Sequence, residues 1–194
     1  MQDPTTKTWR WHAVETDLGT MRIAWTETGV ARVRLPDRDR ERPGAGQAGE
    51  QEHDQTLPPS ICALGVSLQD YARGSPVDFS AVMLDLGELP PTTAEIYAAA
   101  RRIGWGQTTT YGGLAREIGD PRLARVVGQA MAANRVPILI PCHRVLPSGG
   151  RHVGGFSAPG GAATKERLLM LERSWPPVRA PLLELMEESR NRPE

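Results

Sequence analysis

The sequence predicts an α/β N-terminal domain followed by a mainly α C-terminal domain with a helix-turn-helix. Three observations favour this fold class. Short alternating apolar runs fill residues 8–35, Pro90 and Pro91 interrupt the chain, and apolar residues at helical spacing follow them. A chain of 194 residues suits one ordinary domain or two small ones. We place the domains at residues 1–89 and 90–175, followed by a tail at 176–194.

The N-terminal domain begins with a predicted antiparallel meander. Gly19 and Gly29 lie in turn signals that divide residues 8–35 into three short strands rich in Trp, Val and Thr. The segment 36–57 is charged at first and then rich in Gly and Ala, with no periodic apolar face, so we expect a flexible loop. A helix over 59–72 and a strand over 77–86 complete the domain.

The C-terminal domain has its clearest signal in "TTTYGGLAREIGDPRLARVVGQAM". Gly119 is placed to end one helix, whereas Asp120 and Pro121 are typical of the start of the next. Residues 101–135 carry six arginines against two carboxylates, a local charge of +4. The helix pair is therefore a candidate DNA-binding element, although simple packing and a solvated basic face remain alternatives.

Composition excludes several function classes. The formal net charge is zero, so no global basic field attracts nucleic acid or membrane. No apolar run has membrane-spanning length and the first residues lack a signal-peptide core, so we expect a cytoplasmic protein without membrane partners. The two cysteines are expected to be free thiols, with Cys62 a small buried hydrophobe.

The run "PCHRV" is the candidate reactive centre. A thiol becomes nucleophilic when a base or a positive charge stabilises its thiolate, and Cys142 is followed by His143 and Arg144. The pair would need a turn or a bridging water to communicate, and Glu172 is a candidate to orient the imidazole. An incidental Cys-His pair is the competing interpretation. The preceding "VPILIP" predicts a buried extended segment.

These residues together resemble the O6-alkylguanine-DNA alkyltransferases, also called methylated-DNA–protein-cysteine methyltransferases. "PCHRV", the preceding "NRVPILI" and the helix pair carry the likeness, which is continuous from about residue 92 to residue 173. "LGTMRIAW" and "LQDYARGSPVDF" match more loosely. The resemblance implies a ribonuclease H-like first domain and a winged-helix-like second domain.

The resemblance also implies a division of catalytic roles. Cys142 would accept the alkyl group from O6 of guanine, or from O4 of thymine, in a single turnover. His143 would take the thiol proton through a water and would be oriented by Glu172. Asn134 would brace the turn before the reactive strand. Tyr111 would assist base flipping and donate a proton to N3 of the leaving guanine.

The implied partner is double-stranded DNA with an alkylated guanine, contacted in the minor groove by the second helix of the pair. Arg125 would fill the space left by the flipped nucleotide, and small residues would permit close approach. The DNA-facing residues would be Arg125, Tyr111, Ala124, Gly128 and Ala132, and the substrate pocket would include Val145, Phe156 and Ser157.

No cofactor and no metal are expected, and the protein would act as a monomer. Two cysteines and four widely dispersed histidines offer a poor zinc-ligand set. Two other functions stay open at this point. One is a cysteine hydrolase built on Cys142, His143 and Glu172, and the other is a non-enzymatic, alkylation-responsive DNA-binding protein.

Overall fold

A computed structural model describes residues 9–37, 57–149 and 152–173. The predicted loop at 36–57 lies outside these residues except at its ends, and the predicted tail at 176–194 lies wholly outside them.

The N-terminal half contains a three-stranded antiparallel sheet and one helix. Its elements are β1 (Arg10–Val14), β2 (Met21–Trp25), β3 (Val30–Arg34) and α1 (Pro59–Ala72). The strand order is β1-β2-β3, so the predicted meander is confirmed. Gly65 of α1 lies opposite Val14, where an added Cβ would be 3.6 Å from a Val14 methyl. That distance is an ordinary van der Waals contact, so α1 packs directly on β1 at this position.

Two predictions in this half are wrong. Residues 77–86 form no regular strand, and their sheet-like pairing is a single parallel bridge between Leu84 and Val30. The Arg101 guanidinium instead donates to the carbonyls of Phe79, Ser80 and Val82, which replaces the partners that a neighbouring strand would supply. Cys62 is exposed rather than buried, because its position on α1 faces away from the core.

The C-terminal half is mainly helical. Its elements are α2 (Pro91–Arg101), β4 (Thr109–Thr110), α3 (Tyr111–Glu117), a 3₁₀ turn (Pro121–Leu123), α4 (Ala124–Ala132), a second 3₁₀ turn (Cys142–Arg144), β5 (Val145–Leu146) and α5 (Gly161–Leu171). Strands β4 and β5 pair in parallel and so hold the start of α3 beside the end of the second 3₁₀ turn.

The helix-turn-helix is formed by α3 and α4, as predicted. The Thr110 hydroxyl caps α3 by accepting from the Gly113 N–H at 2.9 Å. Gly119 adopts a φ of 93° just after α3, a conformation that costs glycine little. The Asp120 carboxylate accepts from the Arg122 N–H at 3.0 Å, so Asp120 and Pro121 begin a 3₁₀ turn that leads into α4.

The run "VPILIP" is buried, but it is a turn and not an extended segment. The Ile140 N–H donates to the Val136 carbonyl at 3.0 Å, and Ile138 has a φ of 73°. A positive φ is strained for a β-branched residue, so the surrounding packing must hold it. The apolar sequence indicated burial correctly, because burial follows hydrophobicity whereas backbone direction does not.

One continuous core joins the two halves. Buried side chains of the sheet and α1 lie in the same cluster as those of α2, α3, α4 and α5, and Cys142 belongs to that cluster. Within the described parts of the chain, none of the helices is long and apolar enough to cross a membrane.

Candidate active site

Asn134 fixes the position of Cys142. Its Nδ2 donates to the Ile140 carbonyl at 2.8 Å and to the Cys142 Sγ at 3.1 Å, while its Oδ1 accepts from the Val136 N–H at 3.0 Å. The Asn134 amide therefore links the backbone on both sides of the turn after α4 and also contacts the sulfur of Cys142. Cys142 is only 4% exposed, so its thiol lies just beneath the surface.

The Cys142 thiol is not spontaneously ionised. Burial raises its pKa, although the hydrogen bond from Asn134 and the positive charge of Lys165 oppose that rise. At neutral pH the sulfur therefore carries its proton and requires a base at the moment of reaction. Once formed, a thiolate of high pKa is the more nucleophilic one.

His143, which follows Cys142 in the second 3₁₀ turn, forms a buried pair with Glu172. The His143 Nε2 lies 2.8 Å from the Glu172 Oε1, and both side chains are fully buried. Arg144 donates from Nε to the Glu172 Oε2 at 2.8 Å and from a terminal nitrogen to Oε1 at 3.0 Å. Burial alone would raise the pKa of Glu172, but the hydrogen bonds from His143 and Arg144 lower it to about 2. The carboxylate is ionised at neutral pH.

Burial keeps His143 neutral, and the Glu172 carboxylate sets its tautomer. Burial lowers the pKa of the imidazole, and the hydrogen bond to Glu172 only partly offsets that effect, so the ring is neutral near pH 7. Because Nε2 faces an ionised acceptor, the hydrogen is assigned to Nε2 and the lone pair to Nδ1. Within the described part of the protein, Nδ1 is buried and has no hydrogen-bond partner. His143 is thus arranged as a base at Nδ1.

Tyr111 and Lys165 also lie near the Cys142 thiol. Tyr111 is half-buried at the start of α3, and the Lys165 Nζ lies 5.8 Å from the centre of its ring. Lys165 is 1% exposed and donates to the Val145 carbonyl at 2.7 Å. Burial lowers the pKa of Lys165 to about 8. Gly154, with a φ of 77°, passes so close that an added Cβ would lie 3.6 Å from the Tyr111 hydroxyl.

The three predicted pocket residues have different environments. Val145 is fully buried, its N–H donates to the Cys142 carbonyl and its own carbonyl accepts from Lys165. Each carbonyl keeps a second lone pair for a ligand. Phe156 is half-buried and packs against the core that includes Cys142. Ser157 is exposed on the segment before α5.

Four of the five predicted DNA-facing residues share the outer face of α4, whereas Tyr111 lies at the start of α3. Arg125 and Ala132 are exposed, and Ala124 and Gly128 are partly exposed. A Cβ added to Gly128 would meet no atom within 4 Å, so this part of the helix surface is open. The opposite face carries the buried residues Val127, Ala130 and Met131.

Three residues of the site were not predicted from the sequence. Arg144 stood in the reactive motif without an assigned role. Lys165 was not singled out in the sequence, and its burial follows from the packing of α5. Tyr71 of α1 is fully buried, and its hydroxyl donates to the Glu172 Oε1 at 2.7 Å. The sequence around Tyr71 signals only an amphipathic helix.

Comparisons with known proteins agree with this geometry. Residues 91–174 match the family model described as 6-O-methylguanine DNA methyltransferase, DNA binding domain. The constitutive methylated-DNA–protein-cysteine methyltransferase of Bacillus subtilis is 32% identical over 136 residues, which span 68% of this chain and 77% of the relative. The methylated-DNA–protein-cysteine methyltransferase of Mus musculus is 31% identical over 172 residues, 84% of this chain and 81% of that protein.

Among solved structures, Mycobacterium tuberculosis OGT in complex with DNA superposes with a TM-score of 0.67 at 26% identity, covering 85% of this chain and 93% of that one. The fold is accordingly mixed α/β with a helical domain. The likeness to both curated relatives extends beyond the reactive motif into the N-terminal half. The chain belongs to the methylated-DNA–protein-cysteine methyltransferases.

Proposed function

We propose that this protein repairs DNA by moving an alkyl group from O6 of guanine, or from O4 of thymine, to the Sγ of Cys142. One observation carries the proposal. A buried thiol held by Asn134 lies beside a neutral His143 whose base position is set by an ionised Glu172. The names of the curated relatives describe methyl transfer from methylated DNA to a protein cysteine.

The chemical step is a displacement at the alkyl carbon. The bond from Sγ of Cys142 to carbon forms as the bond from O6 to carbon breaks. The thiol proton passes to His143 Nδ1 through a water, and the imidazolium is stabilised by Glu172. Tyr111 supplies a proton to N3 of the departing guanine and recovers one from the His143 imidazolium by way of solvent. The overall change then moves one proton from the thiol to the base.

The reaction ends after one turnover. The product is a thioether, which has no carbonyl that water could attack and no oxyanion that the site could stabilise. Cys62 lies on the exposed face of α1, so it does not serve as a resolving thiol for the buried Cys142. The protein is consumed by each repair event.

Contact with DNA is assigned to the outer face of α4, placed in the minor groove. The buried position of Cys142 requires the damaged nucleotide to leave the duplex, which costs a few kcal/mol. Arg125 would occupy the gap, whereas Ala124, Gly128 and Ala132 would allow the helix to approach the sugar-phosphate edges. The solved relative from M. tuberculosis is a complex with DNA.

The flipped guanine would lie between the Cys142 turn and the segment before α5. The carbonyls of Cys142 and Val145 would accept its exocyclic amine through their second lone pairs. Phe156 would support the pocket and Ser157 would face O6.

The finer features of the protein belong to the same proposal. The first domain would be ribonuclease H-like and end near residue 89, and the second would be winged-helix-like and extend to about residue 175. The protein would act as a cytoplasmic monomer. The hydrolase and the non-enzymatic alternatives are not favoured by the curated relatives, whose names describe methyl transfer to a protein cysteine.

Intact-mass measurement tests the proposal. Incubation with a duplex containing O6-methylguanine should replace one hydrogen by a methyl group on the peptide that contains Cys142. Cys142→Ala should show no gain and should still bind the duplex. Cys62→Ala is the matched control, since it removes the exposed thiol and should leave transfer intact. A methyl group gained by Cys142→Ala would remove Cys142 from the mechanism.

A further inference from the structure

The hydroxyl of Tyr71 connects the N-terminal half to the reactive centre. It donates to the Glu172 Oε1 at 2.7 Å and lies 3.4 Å from the His143 Nε2. Through this hydrogen bond, α1 contacts the Glu172 carboxylate. The contact joins residues 101 positions apart in sequence.

Tyr71 is held rigidly. Its side chain has no exposed surface. The Trp105 ring meets it edge-on, with centroids 5.3 Å apart and an interplanar angle of 80°, and the Phe79 ring lies 5.9 Å away. Such aromatic contacts fix the ring and therefore the direction of the hydroxyl.

The hydrogen-bond directions around Glu172 follow from the protonation states. Burial raises the pKa of Tyr71 well above its usual value, and the charge of Glu172 raises it further, so the phenol stays protonated. Because His143 Nε2 itself donates to Oε1, it is not an acceptor for Tyr71. Oε1 therefore accepts from Tyr71, His143 and Arg144 together.

We propose that Tyr71 is a positioning residue for alkyl transfer, which holds Oε1 of Glu172 against His143 and draws part of its negative charge away from the imidazole. The inference rests on the function proposed above and assigns to α1 a part in the proton-transfer step. Tyr71 acts through Glu172 and does not touch the substrate.

Loss of the hydroxyl should change the pH dependence of transfer. The charged or titratable groups around His143 are Lys165 of α5 and Glu172 directly after it, Cys142 and Arg144 of its own turn, and Tyr71 from α1. Without Tyr71, more negative charge faces His143, so the pKa of the imidazole should rise. A base with a raised pKa is protonated up to a higher pH, and the acid limb of the rate profile should move upward.

The experiment compares Tyr71→Phe with Tyr97→Phe. Tyr97 is also buried, and its hydroxyl donates to the Ala130 carbonyl at 3.0 Å without reaching Glu172. Rates are measured across pH with duplex DNA and with free O6-benzylguanine. Tyr71→Phe should lower the rate about tenfold on both substrates and shift the acid limb upward, because a base that is misoriented loses part of its general-base contribution. Tyr97→Phe should retain the wild-type profile.

A double-mutant cycle separates positioning from packing. If Tyr71 acts through Glu172, Tyr71→Phe should have little further effect on the rate in a Glu172→Gln background. Full additivity of the two losses, or identical profiles for Tyr71→Phe and Tyr97→Phe, would overturn the inference while the proposed function stands. Absence of alkyl transfer by the wild type would instead overturn the proposed function.

Discussion

The turn that carries Cys142 and the outer face of α4 differ in nearly every physical respect. His143 and Glu172 are fully buried and fixed by short hydrogen bonds, whereas Arg125 and Ala132 are exposed on a helix of small residues. Proton transfer needs donors and acceptors that are held in place away from bulk solvent, while contact with a long polyanion needs an open surface. Under the proposed function, the buried position of Cys142 would require the damaged nucleotide to leave the stack.

A substitution in the buried region around Cys142 should have the largest effect on transfer rate and stability. Glu172→Gln removes the charge that orients His143 and leaves the Arg144 guanidinium buried without its counter-ion. The rate with free O6-benzylguanine should fall about a hundredfold. The free energy of unfolding should fall by about 3 kcal/mol, as expected when one partner of a buried ion pair is lost. Denaturant unfolding and single-turnover kinetics measure the two effects.

An exposed ion pair provides the control for that variant. Glu117 accepts from Arg102 at 2.7 Å, and both side chains are largely exposed. Glu117→Gln should lower the free energy of unfolding by less than about 1 kcal/mol. The free energy of unfolding of the wild type should exceed that of Glu172→Gln by the full amount above pH 4.5. This difference should be lost as the pH falls toward about 2, because folding lowers the pKa of the Glu172 carboxyl. Equal losses in both variants would contradict the importance of burial.

Changing the exposed side should affect only DNA substrates. Arg125→Ala should slow repair of duplex DNA roughly tenfold and leave the reaction with free O6-benzylguanine unchanged, because only a duplex contains a gap to be filled. Arg122→Ala removes the same charge from the 3₁₀ turn before α4. Its effect should be electrostatic, so DNA binding should weaken and its dependence on salt concentration should become smaller. If Arg125→Ala slowed both substrates alike, Arg125 would serve the fold and not the duplex.

The two regions also differed in how well the sequence predicted them. The helix pair was predictable because its signals are local. Thr110 and Asp120 accept hydrogen bonds from N–H groups two or three residues later, and Gly119 ends α3 with a positive φ. The Cys-His motif was recognisable for the same reason. Glu172 was a candidate to orient the imidazole from its place among apolar residues near the end of the last helix, and the resemblance implied the same role. Its distance to His143 gives that role a physical basis.

Features that depend on tertiary packing were missed. Nothing local marks Tyr71 as a partner of Glu172. Lys165 is buried because its face of α5 packs against the chain that follows Cys142, where its Nζ donates to the Val145 carbonyl. The turn at Ile138 was mistaken for extended chain, since apolar residues indicate burial in either conformation. Cys62 was placed inside because its neighbours are apolar, although its own direction on α1 is outward.

A titration of the protein with excess methylated duplex tests the central claim most directly. Mass spectrometry and release of repaired DNA are followed together as the duplex is added. We predict a plateau at one alkyl group per chain, carried by Cys142, with no repair beyond that equivalent. Continued formation of repaired DNA, with Cys142 returning to the free thiol, would contradict single-turnover transfer and restore the cysteine hydrolase.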